Sequence, residues 1–400
     1  MSNLMNTVHS YGLLIKGHYG EHLIAENGLM YYDFWGDEGV NSLPYDTVSR
    51  IIAEHIFANE PIHVPKMYLS KYREMFAKSL VRFTKIDGWG IRKDDGKVFF
   101  SNSGTEANEA AIKLARLYWY KLNSPYRWNI AVMKGNFHGR TGFSLAASDS
   151  SDSPYHKLGF GPMPAGFYHF ETIGELYGLS KIPGGLAAVM MAPVLGNNCI
   201  KVYDYELFAG LQIFRNDTGT LIIFDEVQVA MGRTGKNMAF HHQDLTPDIV
   251  TVGKGIASGF PLSATVARKE VAEVFTPGSH FNTFGGNELA CKIGLHVVDY
   301  IDNNLERIAK LGKHIRESLG ELYFIKYVTG LGIHNAFQID FDNVPYDGYE
   351  FCKKAFENNL LICTHRRHGE IRFTPPISVS QKVVDEAIEM LVKTNKDLVG

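Results

Sequence analysis

The stretch Ile222–Phe260 reads IIFDEVQVAMGRTGKNMAFHHQDLTPDIVTVGKGIASGF, and it constrains the chain more than any other. Two short apolar runs each end in charge. Leu221-Ile222-Ile223-Phe224 stops at Asp225-Glu226, and Ile249-Val250-Thr251-Val252 stops at Gly253-Lys254-Gly255. Runs that are short, β-branched and without polar alternation read as strands covered on both faces. A carboxylate at the end of one buried strand and an amine just past another are costly unless each has a partner. Strand ends in open α/β sheets are also where ligands sit. A cofactor slung between Asp225 and Lys254 satisfies both constraints.

The rest of the chain repeats the strand, glycine turn and helix pattern. Residues 1 to about 20 read as a helix or arm, and Asn27-Gly28 marks a hairpin. Helices are expected over Asp46–Asn59 and Met67–Phe83. Val98-Phe99-Phe100 leads through Ser103-Gly104-Thr105 into a helix with Ala107, Ala110, Ala111, Leu114 and Ala115 at helix spacing. Asn129–Met133 and Leu186–Met191 are strands, Ser148–Gly166 is loop, and Ser263–Ala267 is a further strand. A long helix starts at Glu288. Beyond Tyr323 short strands and helices alternate as a compact α+β tail. The expected architecture is α/β: a mostly parallel, helix-covered central sheet with a smaller α+β domain. A chain of 400 residues is long enough for two domains. The division is 1–45 (an N-terminal segment packing with the small domain), 46–287 (the large domain) and 288–400 (the C-terminal small domain).

Composition narrows the function. A formal charge of -3 gives no basic footprint for nucleic acid or an anionic membrane. Cys199, Cys291, Cys352 and Cys363 have no CxxC spacing, which argues against a disulfide framework or a zinc knuckle and for a reducing compartment. No metal site is expected. No apolar run reaches spanning length and the N-terminus lacks signal-peptide anatomy, so the expected location is cytoplasmic.

Each candidate residue carries two readings. Lys254 is a Schiff-base and proton-moving lysine, or a surface lysine in a turn. Asp225 keeps a ring nitrogen cationic, so that the ring becomes an electron sink, or it is a helix cap or a magnesium ligand. The magnesium reading needs an upstream GxxxxGK[ST] loop, and none exists. Ser103-Gly104-Thr105 ahead of a helix is a phosphate seat, or Ser103 and Glu106 form a capping box; both can hold. Phe137, beside His138, stacks on a flat ring or packs in the core. Arg140 and Arg372 can each grip a carboxylate, and Arg372 can equally serve a structural ion pair.

Together these pieces resemble the class III aminotransferases, the ornithine and 4-aminobutyrate type, which are fold-type-I pyridoxal 5'-phosphate enzymes. The resemblance rests on SGTEANEAAIKLAR (103–116), NFHGRT (136–141), IIFDEVQVAMGRTGK (222–236), PDIVTVGKGIASGFPLSA (247–264), TFGGNELAC (283–291) and IRFTPP (371–376), in family order. It implies that Lys254 binds the cofactor and shuttles protons, and that Asp225 partners the pyridine nitrogen. Gln228 would sit near the ring hydroxyl and Phe137 would stack on the ring, with His138 beside it. Ser103, Gly104 and Thr105 would hold the phosphate. Thr283 would reach the phosphate of a neighbouring subunit, which implies a homodimer with shared active sites. Arg372 would bind the substrate carboxylate, and Arg140 lies near the substrate in some members.

Two departures from the family pattern bear on substrate. The usual Glu-Pro-Val-Gln-Gly-Glu-Gly-Gly segment is replaced by Ala192-Pro193-Val194-Leu195-Gly196-Asn197-Asn198-Cys199. In ornithine-type members the second glutamate pairs with the carboxylate-binding arginine, and Asn197 cannot. An unpaired Arg372 would favour substrates bearing a carboxylate there throughout the cycle, which makes ornithine and 4-aminobutyrate poor donors. The second departure is Gly36-Asp37-Glu38-Gly39, where small or apolar residues are usual. There Glu38 (or Asp37) meets a cationic or hydroxylated substrate group, or the segment is a solvated turn. The implied activity is ping-pong transfer of an amino group from an amino acid or amine to a 2-oxo acid, 2-oxoglutarate by default. A racemase or epimerase shares the first proton removal, and a non-catalytic binding protein is the remaining alternative.

Overall fold

The computed structural model describes residues 5, 12–86, 95–150, 153–196, 200–364 and 369–400. Both apolar runs are strands, Leu221–Asp225 and Ile249–Val252, with every residue buried. They pair in parallel, with Asp225 opposite Thr251. They form the middle of a 7-stranded sheet. From one edge its order is Lys97–Ser101, Ser263–Ala267, Ile249–Val252, Leu221–Asp225, Leu186–Met191, Asn129–Met133 and Phe167–Phe170. Only Ser263–Ala267 runs against its neighbours. The carboxyl ends of the other strands therefore share one edge, and that edge carries the site. Helix Gly104–Lys121 lies across the sheet on its alanine stripe. Small side chains on that face let the helix start approach Asp225 closely.

Two smaller sheets flank this body. Ile325–Leu331 and His334–Ile339 form an antiparallel hairpin, joined by Ile371–Phe373 in a 3-stranded sheet. Ile15–Tyr19, His22–Ala25 and Met30–Asp33 form the N-terminal sheet, with a turn at Gly28 (φ +86°). Met30–Asp33 pairs in parallel with Leu360–Leu361, so the first and last parts of the chain share a sheet. Helix Glu288–Gly320, about 50 Å long at the usual rise, packs on helix Lys71–Thr84 and on strand Ile325–Leu331. Asn287 caps it, accepting the Ala290 N–H at 2.9 Å. The architecture is thus α/β, with a mixed central sheet and a smaller part built from both chain ends.

Four local expectations need correction. Ser148–Gly166 is not loop throughout, because Ser153–Lys157 forms a short helix. The segment 1–20 is not helical where it is described, because Ile15–Tyr19 is a strand pairing with His22–Ala25. The second helix starts at Lys71 rather than Met67. Its start is fixed by a distant residue: Glu288 accepts from Ser70 Oγ and, at 2.9 Å, from the Tyr72 N–H. The Ser103/Glu106 capping box does not form. Ser103 makes no side-chain cap, and Glu106 instead accepts the Asn102 N–H at 2.8 Å. Among the described residues no helix is long and apolar enough to cross a membrane.

Candidate active site

Asp225 ends its strand buried, at 6 % exposure, with its carboxylate fully committed on one side. Oδ2 accepts from Asn108 Nδ2 and from His138 Nδ1, each at 2.7 Å. Oδ1 accepts the Val227 N–H at 3.0 Å. A carboxylate only accepts, so His138 carries its proton on Nδ1. His138 Nε2 is buried and without a hydrogen-bond partner. These donors from three separate segments hold the carboxylate in one orientation.

Lys254 follows its strand in a left-handed conformation (φ 44°), unusual for a side chain with a Cβ and typical of functional positions. Burial pushes its amine below the usual lysine range; Glu38 opposes that shift and Arg372 adds to it. Nζ lies 3.3 Å from Glu38 Oε2. The flanking glycines answer to close neighbours. A Cβ at Gly253 would lie 3.1 Å from Val227 Cγ1, and one at Gly255 would lie 2.6 Å from Ser42 Oγ.

Arg372 is 5 % exposed and is not free of an acid. Its Nη1 donates to Glu38 Oε1. Glu38 Oε2 also accepts from Gln228 Nε2 at 2.6 Å. The expectation of an unpaired Arg372 is therefore overturned, and with it the premise for excluding donors such as ornithine. Asn197, Asn198 and Cys199, on which that expectation was based, lie outside the described residues. The partner comes instead from the turn at 36–39, with Glu38 lying 334 positions upstream of the arginine. Within this turn Gly36 and Gly39 are buried and Glu38 is half-buried, while Asp37 is exposed.

The expected phosphate seat, Ser103-Gly104-Thr105, lies at the start of helix Gly104–Lys121. Thr105 Oγ1 lies 2.8 Å from Thr141 Oγ1 and 2.6 Å from Ser144 Oγ. The backbone comes close at two glycines. A Cβ at Gly104 would lie 2.4 Å from Val227 Cγ1, and one at Gly139 would lie 2.2 Å from Thr105 Oγ1. Ser103 sits at the N-cap position with its side chain uncommitted to the helix, so the first-turn N–H groups face outward.

One cavity of about 530 Å³ gathers Glu38, Gly104, Thr105, Phe137, His138, Arg140, Asp225, Gln228, Lys254 and Arg372. That volume suits a cofactor with a small substrate. Ser103 stands just outside its lining. Thr283 is exposed and lies outside it altogether. Asn108, Val227 and His156 also line it, although the sequence did not mark them. Asn108 could have been found as the one polar residue inside the buried alanine stripe. Nothing local marks Val227 or His156. Among the described residues no cluster of His, Cys, Asp or Glu is placed to hold a metal ion.

A parallel-rich sheet of this order, with a carboxylate and a lysine at adjoining strand ends and a helix N-terminus beside them, defines a fold-type-I pyridoxal-phosphate architecture. Comparison with known proteins agrees. The family Aminotransferase class-III matches residues 5–394. The acetylornithine aminotransferase of Aquifex aeolicus is 35 % identical over 396 residues, covering 98 % of this chain and 99 % of that protein. The acetylornithine/succinyldiaminopimelate aminotransferase of Yersinia pestis is 30 % identical over 387 residues, covering 95 % and 91 %. Among solved structures, the ornithine aminotransferase of Toxoplasma gondii ME49 superposes with a TM-score of 0.87 at 25 % identity, covering 98 % of this chain and 92 % of that one. The acetylornithine aminotransferase of Elizabethkingia anophelis superposes with a TM-score of 0.82 at 26 % identity, covering 98 % and 96 %. The chain belongs to the class III aminotransferases.

Proposed function

We propose that this protein binds pyridoxal 5'-phosphate and transfers an amino group from an amino acid or amine to a 2-oxo acid, 2-oxoglutarate by default, in two half-reactions. The observation that carries the reading is the cavity that Asp225 and Lys254 share with Arg372. The residues fit the cofactor. The orphaned His138 Nε2, the donor-bound Asp225 and the close backbone at Gly104 and Gly139 suit a flat cationic ring and its phosphate. When bound, the cofactor supplies a sink for the electrons left as a proton leaves the carbon bearing nitrogen.

The chain supplies the rest. Asp225 keeps the ring nitrogen protonated, and His138 and Asn108 hold Asp225 in place. Lys254 Nζ anchors the cofactor, then takes the proton from the substrate carbon and returns it elsewhere. Ser103, Gly104 and Thr105 would hold the phosphate, Phe137 would stack on the ring with Val227 also lining the cavity, and Gln228 would serve the ring hydroxyl. Arg372 binds a substrate carboxylate, with Arg140 at the mouth. Residues 46–287 form the large domain, and 1–45 with 288–400 form the small one.

The working unit in this reading is a homodimer in which Thr283 reaches the phosphate of the other copy. The surface around Thr283 supports it. Met67, Leu69, Phe281 and Phe284 are 92 %, 88 %, 67 % and 64 % exposed. They form one patch, since Lys66 Nζ sits over the Phe281 ring and His63 meets Phe284. Exposed apolar surface of this kind marks an interaction face.

The test is an absorbance scan of the purified protein, repeated with single amino acids and amines in the absence of a 2-oxo acid. Conversion of the lysine-bound cofactor band to that of the amine form supports the reading. A band that shifts without converting points to a racemase. Absence of any band after addition of pyridoxal phosphate overturns the cofactor assignment.

A further inference from the structure

The contacts of Asp225 depend on which way one buried amide points. Asn108 Nδ2 lies 2.7 Å from Asp225 Oδ2 and 2.7 Å from His138 O. A carboxylate and a carbonyl only accept, so both amide protons of Asn108 are spent there. The other amide atom, Oδ1, can only accept, and it faces Thr251 Oγ1 at 2.7 Å. The Thr251 hydroxyl therefore donates to Asn108 and has no second proton for Asp225 Oδ1, 3.5 Å away. Thr251, Asn108, His138 and Asp225 are all buried. Reversing the amide would set its oxygen against two acceptors at once, the Asp225 carboxylate and the His138 carbonyl. One hydroxyl thus decides the polarity of two contacts. The sheet puts it there: Thr251 lies directly opposite Asp225, and its carbonyl accepts the Glu226 N–H at 2.9 Å. Two nearby hydroxyls do a different job. Ser263 Oγ donates to Ser103 O at 2.7 Å and Thr265 Oγ1 to Ala107 O at 2.8 Å, so both seat the backbone of helix Gly104–Lys121 on the sheet. Of these three, Thr251 alone donates to a side chain, and that side chain touches Asp225. Valine has the shape of threonine and suits a buried strand as well, so packing does not call for the hydroxyl.

We propose, on the basis of the aminotransferase reading above, that Thr251 is a positioning residue for Asp225. It acts through Asn108. The hydroxyl fixes the amide, and the amide fixes both the Asp225 carboxylate and the His138 backbone. His138 Nδ1 then holds the same carboxylate oxygen. The donors run one way, from Thr251 to Asn108 to Asp225. Without the hydroxyl, Asn108 Oδ1 is a buried acceptor with nothing to accept, and the amide is free to turn. Once turned, it repels the carboxylate that has to face the cofactor ring. Thr251 stands three residues before Lys254, so the strand that presents the lysine also sets the direction of the acid.

Three variants separate this role from packing. Thr251→Val keeps the volume and loses the hydroxyl. Thr251→Ser keeps the hydroxyl and loses a methyl. Thr265→Val removes a hydroxyl that meets only backbone. Proton NMR of the full chain, recorded with and without pyridoxal phosphate, reads the His138 Nδ1–H as a downfield resonance identified by its loss in His138→Gln. The resonance should persist in Thr251→Ser and Thr265→Val and be lost or broadened in Thr251→Val. Spectroscopic titration with pyridoxal phosphate should show binding about tenfold weaker in Thr251→Val, the scale of one stranded buried acceptor, and largely restored in Thr251→Ser. In an Asn108→Ala background Thr251→Val should add nothing further, because residues acting in series are not additive. An unchanged resonance in Thr251→Val overturns the proposal. So does a Thr251→Ser variant as impaired as Thr251→Val, or full additivity with Asn108→Ala. Should Thr251→Val fail to fold, Thr251→Ala set against Thr251→Ser makes the same comparison. If the resonance follows this pattern while the unaltered protein binds no cofactor, the aminotransferase reading fails and the positioning of Asp225 stands. If the unaltered protein binds cofactor and transfers amino groups while the pattern is absent, only the role of Thr251 fails.

Discussion

His138 Nδ1 lies 2.7 Å from Asp225 Oδ2, with both side chains almost wholly buried. The imidazole fixes the rotamer of the carboxylate, and the carboxylate fixes the tautomer of the imidazole. Asn108 completes the bracket by donating to the same oxygen and to His138 O, each at 2.7 Å. The charge that faces the cavity is thus held by residues from a helix, a loop and a strand.

That bracket makes Asp225→Asn informative, because the shape is kept and the charge is lost. Turnover should drop roughly 10²–10³-fold, as when one electrostatic partner of a reacting group is removed. Steady-state kinetics with cofactor occupancy measured in parallel separate this from simple loss of cofactor. Activity within a few-fold of the unaltered protein would remove Asp225 from its assigned role.

Lys254→Ala removes the amine that anchors the cofactor and moves the proton. The rate should fall by about 10⁴-fold, the upper range for loss of a positioned proton carrier. The cofactor should still bind through its phosphate and Asp225, now without the visible band of a lysine-bound form. Near-normal turnover would exclude the lysine assignment.

Gly139 has φ of +137°, and a Cβ there would lie 2.2 Å from Thr105 Oγ1 and 2.6 Å from Ser144 Oγ. Gly139→Ala should displace both hydroxyls of the phosphate seat. Cofactor affinity should weaken by about tenfold, equal to ~1.4 kcal/mol, with a smaller effect on kcat. Spectroscopic titration of cofactor-free protein reads the constant directly. Equal affinities would place the phosphate elsewhere.

Charge placed on the exposed patch should break the dimer. Leu69→Asp, at a side chain 88 % exposed in the single chain, should shift sedimentation toward the monomer and lower activity with it. Should the variant sediment as the unaltered protein does, the patch is not the interface.

Stability should fall as the solution is acidified. Burial pushes His241 from its ordinary 6.5 to about 4, and burial together with Arg233 and Arg372 holds His334 well below that ordinary value. Above pH 6.5 neither the folded nor the unfolded chain protonates these rings. Between about pH 6.5 and 4 the unfolded chain gains the proton at His241 and the folded chain does not. The unfolded state is favoured there by up to roughly 1.4 kcal/mol per pH unit for each such ring. Denaturant midpoints at pH 7.5 and 5.5 measure the slope, and His241→Gln should flatten it. A slope unchanged by that substitution would assign the acid sensitivity to other groups.

The sequence by itself determined the strands and what ends them. Leu221–Asp225 and Ile249–Val252 are apolar on both faces, so only a buried sheet could hold them, and Asp225 and Lys254 had to fall at its edge. The alanine stripe from Ala107 to Ala115 likewise fixed which face of its helix meets that sheet. Period and local chemistry carry this information without reference to distant residues. The ion pairing of the cavity was decided only by tertiary structure. Glu38 meets Arg372 across a separation of 334 residues, and Glu288 fixes a helix start that lies 218 residues before it. Ser103 and Glu106 sit at capping-box spacing, yet Asn102 takes the carboxylate instead. A charged side chain pairs with whatever the fold brings within reach, and neither its own neighbours in sequence nor a missing acid at position 197 specifies that partner.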